Sequence, residues 1–573
     1  MVGRMNASPK AFKAFSGKFI YQNVPAIVAV ACFIIVIWQL TYRALQTCHH
    51  HPGYIGDDVY ISMAVSKNLT LHGIWGVTSH EFCSACSSLI WPPLIAIFYL
   101  VFGVNEITPF LLECMISISL ILIVAWFFKR NDVPPIVSLV VLIFIIFAMP
   151  LPALVFTGLE HILHSLLSVA FLYCSIRCLA KEIPLKSVEI SFLCLLAMLL
   201  TSSRYEGCAL VFVISLLCFF KRRFKAGLLI GLAGLLPVTL FGIFSIYLGW
   251  HFLPDSILLK ANVPQMGTQT VWSEIGNAIA LTMSRGVQNP LLFALTTLSL
   301  VTLIAALLIK RSQRQNSLGG PELKLVDQTL EMNVIFILIT VAHCSFARMD
   351  YRYVAYLILT GIVVMTLSVA NLAQLSPFKR VQLFHVPCVY LAFALMALFL
   401  ARPGFAQSRE WLEKTPIAAQ NIYDQQYQMA LFINKYYNGQ TIALNDIGAV
   451  DYVDDIHLID LAGLSTKEVM DLRRRGRLDD REIYRICKDA NVKIALLYDQ
   501  WFPKLPSKWV KTGTWTLTNN VICGEDTVSI YAVDSSESAQ LSKNLSEFSQ
   551  ILPKDVKCVL YKDKSGSYTK TQN

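Results

Sequence analysis

Apolar runs long enough to cross a bilayer recur between residues 24 and 402, and nothing else in the chain limits its fold as strongly. Many span roughly 17–25 residues, the length a helix needs to cross a hydrocarbon core of about 30 Å, and some are shorter. Only 15% of the 573 residues are charged, against about 25% in a typical soluble protein. The chain therefore reads as a mostly α polytopic membrane protein. The expected spans are 24–43, 88–103, 107–128, 135–156, 162–180, 188–202, 208–220, 226–248, 290–309, 333–347, 354–374 and 386–401. From residue 403 to 573 the long apolar runs stop. Short β runs at Thr441–Asn445, His457–Leu461, Val492–Tyr498 and Val528–Val533, with polar helical stretches between them, predict a soluble α/β domain.

The net charge of +10 fits basic cytoplasmic loops better than nucleic-acid binding, because no dense basic and aromatic stripe accompanies it. The clusters Lys129-Arg130, Lys181 with Lys186, Lys221-Arg222-Arg223, Lys310-Arg311 with Arg314, and Lys379-Arg380 each lie two spans apart. The N-terminal residues 1–23 join them in the cytoplasm, as the foot of an uncleaved anchor. Loops 157–161, 202–207, 249–289 and 348–353 then face outward, with the C-terminal domain. Twelve crossings would put that domain inside. The short segment 88–103, which begins Ser88-Leu89-Ile90-Trp91-Pro92-Pro93, is the one expected to lie on the surface or re-enter, leaving eleven crossings.

The outward set carries the chemistry. The first outer loop, 44–87, contains Gly56-Asp57-Asp58-Val59-Tyr60-Ile61. Adjacent carboxylates at a membrane surface are costly unless they meet a cation, an amine or a proton in transit. The pair predicts a base in Asp58 and, in Asp57, a ligand for a donor or a divalent cation such as Mg, Mn or Ca. The plainer reading is a helix cap before Val59. Glu160 is a second candidate acid or hydroxyl ligand, or a carboxylate at a helix start. Arg204 with Glu206, His251, Lys260, Arg348, Tyr351 and Arg352 supply groups that could neutralise and orient a phosphate, guanidinium being suited to paired hydrogen bonds with phosphoryl oxygens. Arg204 and Glu206 could equally pair with each other, and interfacial Tyr and Arg are common membrane anchors.

Other features are more ordinary. Cys48 with His49, His50 and His51, joined by Cys83 and Cys86, offers zinc ligands at no common spacing, and a disulfide explains the same residues. Arg473-Arg474-Arg475-Gly476-Arg477 reads as a solvated helix face, or a contact for anionic headgroups or an acidic glycan.

Gly56-Asp57-Asp58-Val59-Tyr60-Ile61 resembles the Asp-Asp-Ala-Tyr-Ile pattern of GT-C-fold membrane glycosyltransferases, in particular the terminal arabinofuranosyltransferase-like branch. Thr157-Gly158-Leu159-Glu160, Arg204-Tyr205-Glu206-Gly207, Leu253-Pro254-Asp255-Ser256 with Lys260, and Arg352-Tyr353 are similar to later motifs of that branch. So are Asn445-Asp446-Ile447-Gly448-Ala449 and Leu458-Ile459-Asp460-Leu461-Ala462-Gly463-Leu464 in the soluble part. The resemblance implies an inverting transferase that takes a sugar from a polyprenyl-phosphate donor. It implies a base in the first outer loop, a glycan or glycolipid acceptor, contact with membrane lipids, and a periplasmic C-terminal domain over the outer face of a bacterial inner membrane. Tyr205 and Asp255 replace Pro and Asn of the pattern, and the Cys/His-rich loop is foreign to it, which leaves sugar and acceptor open. Two other classes share the outward polar loops: a transporter or flippase of a lipid-linked saccharide, and a non-catalytic assembly factor. Loss of transfer on replacing Asp57 and Asp58 by Asn separates the enzyme from both.

Overall fold

The computed structural model describes residues 9–48, 51, 53–181, 183–260, 284–285, 288–315, 321–375 and 382–561. Most of it is helix. Seven helices are long and apolar enough to cross a membrane: Gln22–Thr47, Thr108–Arg130, His161–Leu179, Phe224–Tyr247, Pro290–Ser312, Glu322–Phe346 and Tyr351–Ala373. Trp91–Phe102, Pro135–Ala148, Ser187–Ser203 and Gly207–Phe220 are shorter apolar helices. The chain is a multi-pass membrane protein. The pair Lys379-Arg380, His49, His50 and residues 261–283 of the expected outer loop lie outside the described residues.

Local sequence explains where the expected spans break. Trp91–Phe102 has 12 residues, a rise of about 18 Å, which falls short of a bilayer core. The run 135–156 divides into Pro135–Ala148 and Leu151–Val155. Pro150 and Pro152 stand at the break, where a missing N–H and a clash with the preceding turn end a helix. The Tyr351–Ala373 span is buried over 94% of its apolar window. It forms the centre of the bundle, packed against His161–Leu179, Glu322–Phe346 and Pro290–Gln315. A single helix, Gln382–Ile422, runs through the expected boundary at 402/403 and carries the chain into the soluble part.

The soluble domain is built on a six-stranded mixed sheet. Its strands are β1 (Thr441–Leu444), β2 (His457–Asp460), β3 (Ile494–Leu497), β4 (Val510–Leu517), β5 (Thr527–Ala532) and β6 (Val556–Leu560), in the order β2-β1-β3-β5-β4-β6. β1 pairs in parallel with β2 and β3, and β5, β4 and β6 extend the sheet antiparallel. Ile494-Ala495-Leu496-Leu497 is buried throughout, the composition of a parallel strand covered on both faces. The four expected β runs are all strands. β4 and β6 were not expected; in β4 a register shift between Lys511 and Gly513 interrupts the alternation that marks a strand.

The two halves meet at the helix Asp58–His72. It is buried over most of its circumference, with Trp91–Phe102 on one side and Gly448–Val453 on the other. Asp57 makes the joint, because its two carboxylate oxygens accept the backbone N–H groups of Gly448 at 2.5 Å and Ala449 at 2.8 Å. Position 448 has no room for a side chain: a Cβ there would lie 2.7 Å from Asp57 Oδ2 and nearer still to its backbone carbonyl. Gly448→Ala is expected to cost about 1–3 kcal/mol through overpacking. Limited proteolysis of the purified protein should then release the 428–561 region faster than from the wild type.

Candidate functional site

Parallel sheets place ligands beyond the carboxyl ends of their strands. Here β1, β2 and β3 all point their carboxyl ends toward the loop 44–87. The residues that follow them are Asn445 and Asp446, Leu461, and Tyr498. Asn445 Oδ1 accepts the N–H of Tyr498 at 2.8 Å and ties two of these ends together. Asp446 Oδ2 accepts from Gln426 Nε2 at 2.7 Å and from the Tyr498 hydroxyl at 2.9 Å. Asp460 accepts the N–H groups of Ala462, Leu464 and Ser465 at 2.6–2.9 Å and folds the turn that brings Leu464 to the site.

Asp57 and Asp446 lie side by side as a carboxyl pair. Burial first, then the charge of Asp446, push Asp57 well above the usual carboxylate range, and the Gly448 and Ala449 N–H groups oppose the shift. Burial lifts Asp446 too, against the hydrogen bonds from Gln426 and Tyr498. The pair thus resists ionisation more than two separate aspartates would. Both Asp57 oxygens are engaged by backbone N–H groups. No group of three or more His, Cys, Asp or Glu side chains among the described residues could hold a metal ion. The residues around Asp57 do not fit a divalent cation, and no step below is routed through one. The cysteines Cys48, Cys83 and Cys86 are buried free thiols.

Asp58 turns the other way. Its Oδ2 accepts from Arg352 Nη2 at 2.7 Å in a partly exposed ion pair. Both residues line two adjoining cavities. The larger, about 370 Å³, also takes in Asp57, Asp350, Tyr351, Arg348, Trp411, Gln426, Asp446 and Trp501. The smaller, about 40 Å³, is bounded by Glu160, Arg204, Ser256, Tyr353 and Leu464. It leads by Arg204, Ser256 and Tyr353 into a third space of about 300 Å³. That space has mostly apolar walls, including Ala209, Ile257, Phe346 and Tyr356, with Arg348 and His343 among them.

The cations divide into two kinds. Arg204 is buried. It makes a bidentate contact with Glu206, at 3.2 and 2.8 Å, and donates Nη1 to Glu160 at 2.6 Å. Burial raises the Glu160 carboxyl even beside this guanidinium. Burial also opposes ionisation of Glu206, but Arg204 overrides it and takes that carboxyl down to about 2. Three of the five N–H groups of Arg204 are thus committed to protein. Its guanidinium and that of Arg352 both lie over the Tyr353 ring, at 4.7 and 5.2 Å from the centroid. Arg348 is exposed, lines both large cavities, and has no ion-pair or hydrogen-bond partner for its guanidinium among the described residues. The Ser256 and Tyr205 hydroxyls facing the apolar-walled space are likewise buried without a partner among the described residues.

The sequence candidates fall into place unevenly. Asp57, Asp58, Glu160, Arg204, Glu206, Arg348, Tyr351 and Arg352 surround this connected space. His251 does not line it. Its ring bridges Asp255 at 2.8 Å and Asp471 at 2.9 Å, clasping the loop after one span to the soluble domain. The side chain of Lys260 lies outside the described residues. Gln426, Asp446, Trp411, Trp501 and Tyr353 join the site without having been candidates; only Tyr353 and Asp446 stood inside motifs that could have pointed to them. Asn68 and Asn544, each in an Asn-x-Ser/Thr triplet, are buried and hydrogen-bonded within the fold.

The soluble domain holds further carboxyls raised by burial. Burial lifts Asp424 and Asp454 to about 7 each. A raised folded pKa stabilises the fold fully below the ordinary carboxylate value and loses that contribution as pH rises through about 7. The apparent melting temperature is expected to fall between about pH 5 and pH 8. Asp454→Asn should flatten that slope; an unchanged slope would show that these carboxyls titrate as exposed ones do.

A family model described as a domain of unknown function (DUF8728) matches residues 420–531, most of the sheet domain. No curated protein matches the chain in sequence. Among solved structures, it is similar to ArnT from Cupriavidus metallidurans bound to undecaprenyl phosphate, with 12% identity, 90% of this chain and 99% of that one covered, and a TM-score of 0.48. The same protein in the apo state gives 12% identity, coverage of 89% and 98%, and a TM-score of 0.48.

Proposed function

We propose that this protein is an inverting GT-C-type glycosyltransferase of the terminal arabinofuranosyltransferase-like branch. It moves a sugar from a polyprenyl-phosphate donor to a cell-envelope glycan or glycolipid, on the outer face of a bacterial inner membrane. The observation that carries this reading is the position of Asp58. Its carboxylate lines both the open, polar space and the small cavity that leads on into the apolar-walled space, and Arg348, whose guanidinium has no partner among the described residues, lines both large spaces.

The donor's first isoprene units occupy the apolar-walled space, and its phosphate meets Arg348 and Arg352. The acceptor hydroxyl approaches from the polar side. Its oxygen attacks the anomeric carbon, the bond from that carbon to the phosphate oxygen breaks, and the phosphate leaves with the electron pair. The hydroxyl proton passes to Asp58. Arg348 and Arg352 stabilise the charge that grows on the phosphate. The Asp58–Arg352 pair gives the base a gate. While Arg352 is bound to Asp58, the carboxylate is a weak base. A phosphate that draws Arg352 away restores its basicity.

An envelope glycan profile of a deletion strain tests the assignment. The strain should lack one glycosyl residue, restored by the wild-type gene and not by Asp58→Asn. Full restoration by Asp58→Asn would exclude the transferase. One observation favours transport instead: Glu113, inside the Thr108–Arg130 span, is fully buried with both carboxyl oxygens unpartnered among the described residues, as proton-coupled carriers require. Loss of function in Glu113→Gln with Asp58→Asn still active would favour that reading.

A further inference from the structure

The larger polar cavity differs in chemistry from the apolar-walled one. It has an aromatic side chain from each half of the protein. Trp411, on the long helix that leaves the membrane region, stacks on Tyr351 at 3.5 Å between centroids. Trp501, after β3, is 39% exposed. It is seated against Tyr498 at 5.3 Å and against Gly524, where a Cβ would come within 2.7 Å of its ring. A bulky ring left this exposed beside a cavity, yet fixed from behind, is a platform rather than a core residue. The same cavity is lined by hydrogen-bonding groups, Asp58, Asp446 and Gln426. Arg352 neutralises Asp58, and the lining sets four aspartates, Asp57, Asp58, Asp350 and Asp446, against two cations, Arg348 and Arg352. Asp350 offsets Arg348, so the lining retains a net negative charge.

We infer that this cavity is the acceptor subsite and takes a saccharide that is uncharged or carries an amine, and not an anionic one. Indole faces stack on the C–H faces of a pyranose or furanose ring and attract an ammonium group. Carboxylates and an amide accept and donate to hydroxyls. With the donor phosphate holding Arg348 and Arg352, a second anion here, an acceptor phosphate or a uronate, would meet the unpaired carboxylate charge and be repelled. This assignment rests on the transferase reading for the word acceptor, and the binding test stands apart from it.

The test uses the full-length protein in nanodiscs with polyprenyl phosphate bound, saturation-transfer NMR and tryptophan fluorescence, and three probes at millimolar concentration: cellotetraose, a chitosan tetramer and a galacturonate tetramer. The neutral or the amine-bearing probe should bind, and the galacturonate should not. Trp501→Ala should weaken binding about tenfold, with Trp501→Phe retaining most of it. Polyprenyl phosphate binding should be unchanged in both variants, which also shows that they fold. Equal or tighter binding of the galacturonate, binding untouched by Trp501→Ala, or failure of both non-anionic probes would each overturn the proposal. Saccharide binding without any sugar transfer would leave the subsite standing and remove the transferase.

Discussion

Asp58→Asn should reduce sugar transfer by about 10²–10⁴-fold, the range a positioned general base contributes, while the protein still binds polyprenyl phosphate. Asparagine keeps the shape of the side chain and can still face Arg352, so the fold has little reason to change. What it loses is the ability to accept a proton. Asp57→Asn should behave differently. Asp57 faces away from the cavity junction into two backbone N–H groups, and an amide nitrogen placed against either of them would loosen the soluble domain. Its defect should therefore be one of stability, visible as a lower melting temperature and partly recovered on cooling. If the two variants gave the same loss of transfer at equal stability, the division of labour between the aspartates would fail.

Arg204→Leu should destabilise the protein by about 3–5 kcal/mol, the cost of removing one partner from a buried ion pair. The side chains of Arg204 and Glu160 are 8% and 4% exposed, so little solvent is available to screen what is left. Glu206 would lose the charge that keeps it ionised, and the Tyr353 ring would lose one of its two cations. The double variant Arg204→Leu with Glu206→Leu should recover part of the loss, because one of the two carboxylates stranded by the loss of Arg204 is then gone. A thermal shift in detergent measures both. A near-wild-type melting temperature for Arg204→Leu alone would mean that the cluster is solvated and free to bind a ligand.

The broad architecture was legible because a bilayer imposes one rule on every span, a long apolar run without charge. The expected runs coincide with helices, and the four expected β runs with strands. Details failed where one residue outweighed a pattern. Pro150 divides a run that hydropathy alone joins. The helix Gln382–Ile422 outlasts its apolar stretch because helical structure does not need apolar residues to continue into a soluble domain. At the site, the order of short motifs brought Asp58, Arg204 and Arg352 into view. The pairing of Arg204 with Glu206, two residues on, was open to the sequence, but that Glu160 completes the cluster was not, since pairing 44 residues apart leaves no spacing signal. The clasp between His251 and Asp471, 220 residues apart, was hidden for the same reason. Trp411 and Trp501 had no local pattern to mark them. They meet at one cavity only because a long helix and a strand end converge there.

Cryo-electron microscopy of the protein in nanodiscs with a bound polyprenyl phosphate tests the central claim most directly. The account predicts phosphate density within hydrogen-bonding distance of Arg348 and Arg352, the lipid chain between the apolar walls near Phe346, and Asp58 released from Arg352. Phosphate bound away from both guanidinium groups, or on the side of the bilayer opposite Asp58, would contradict it.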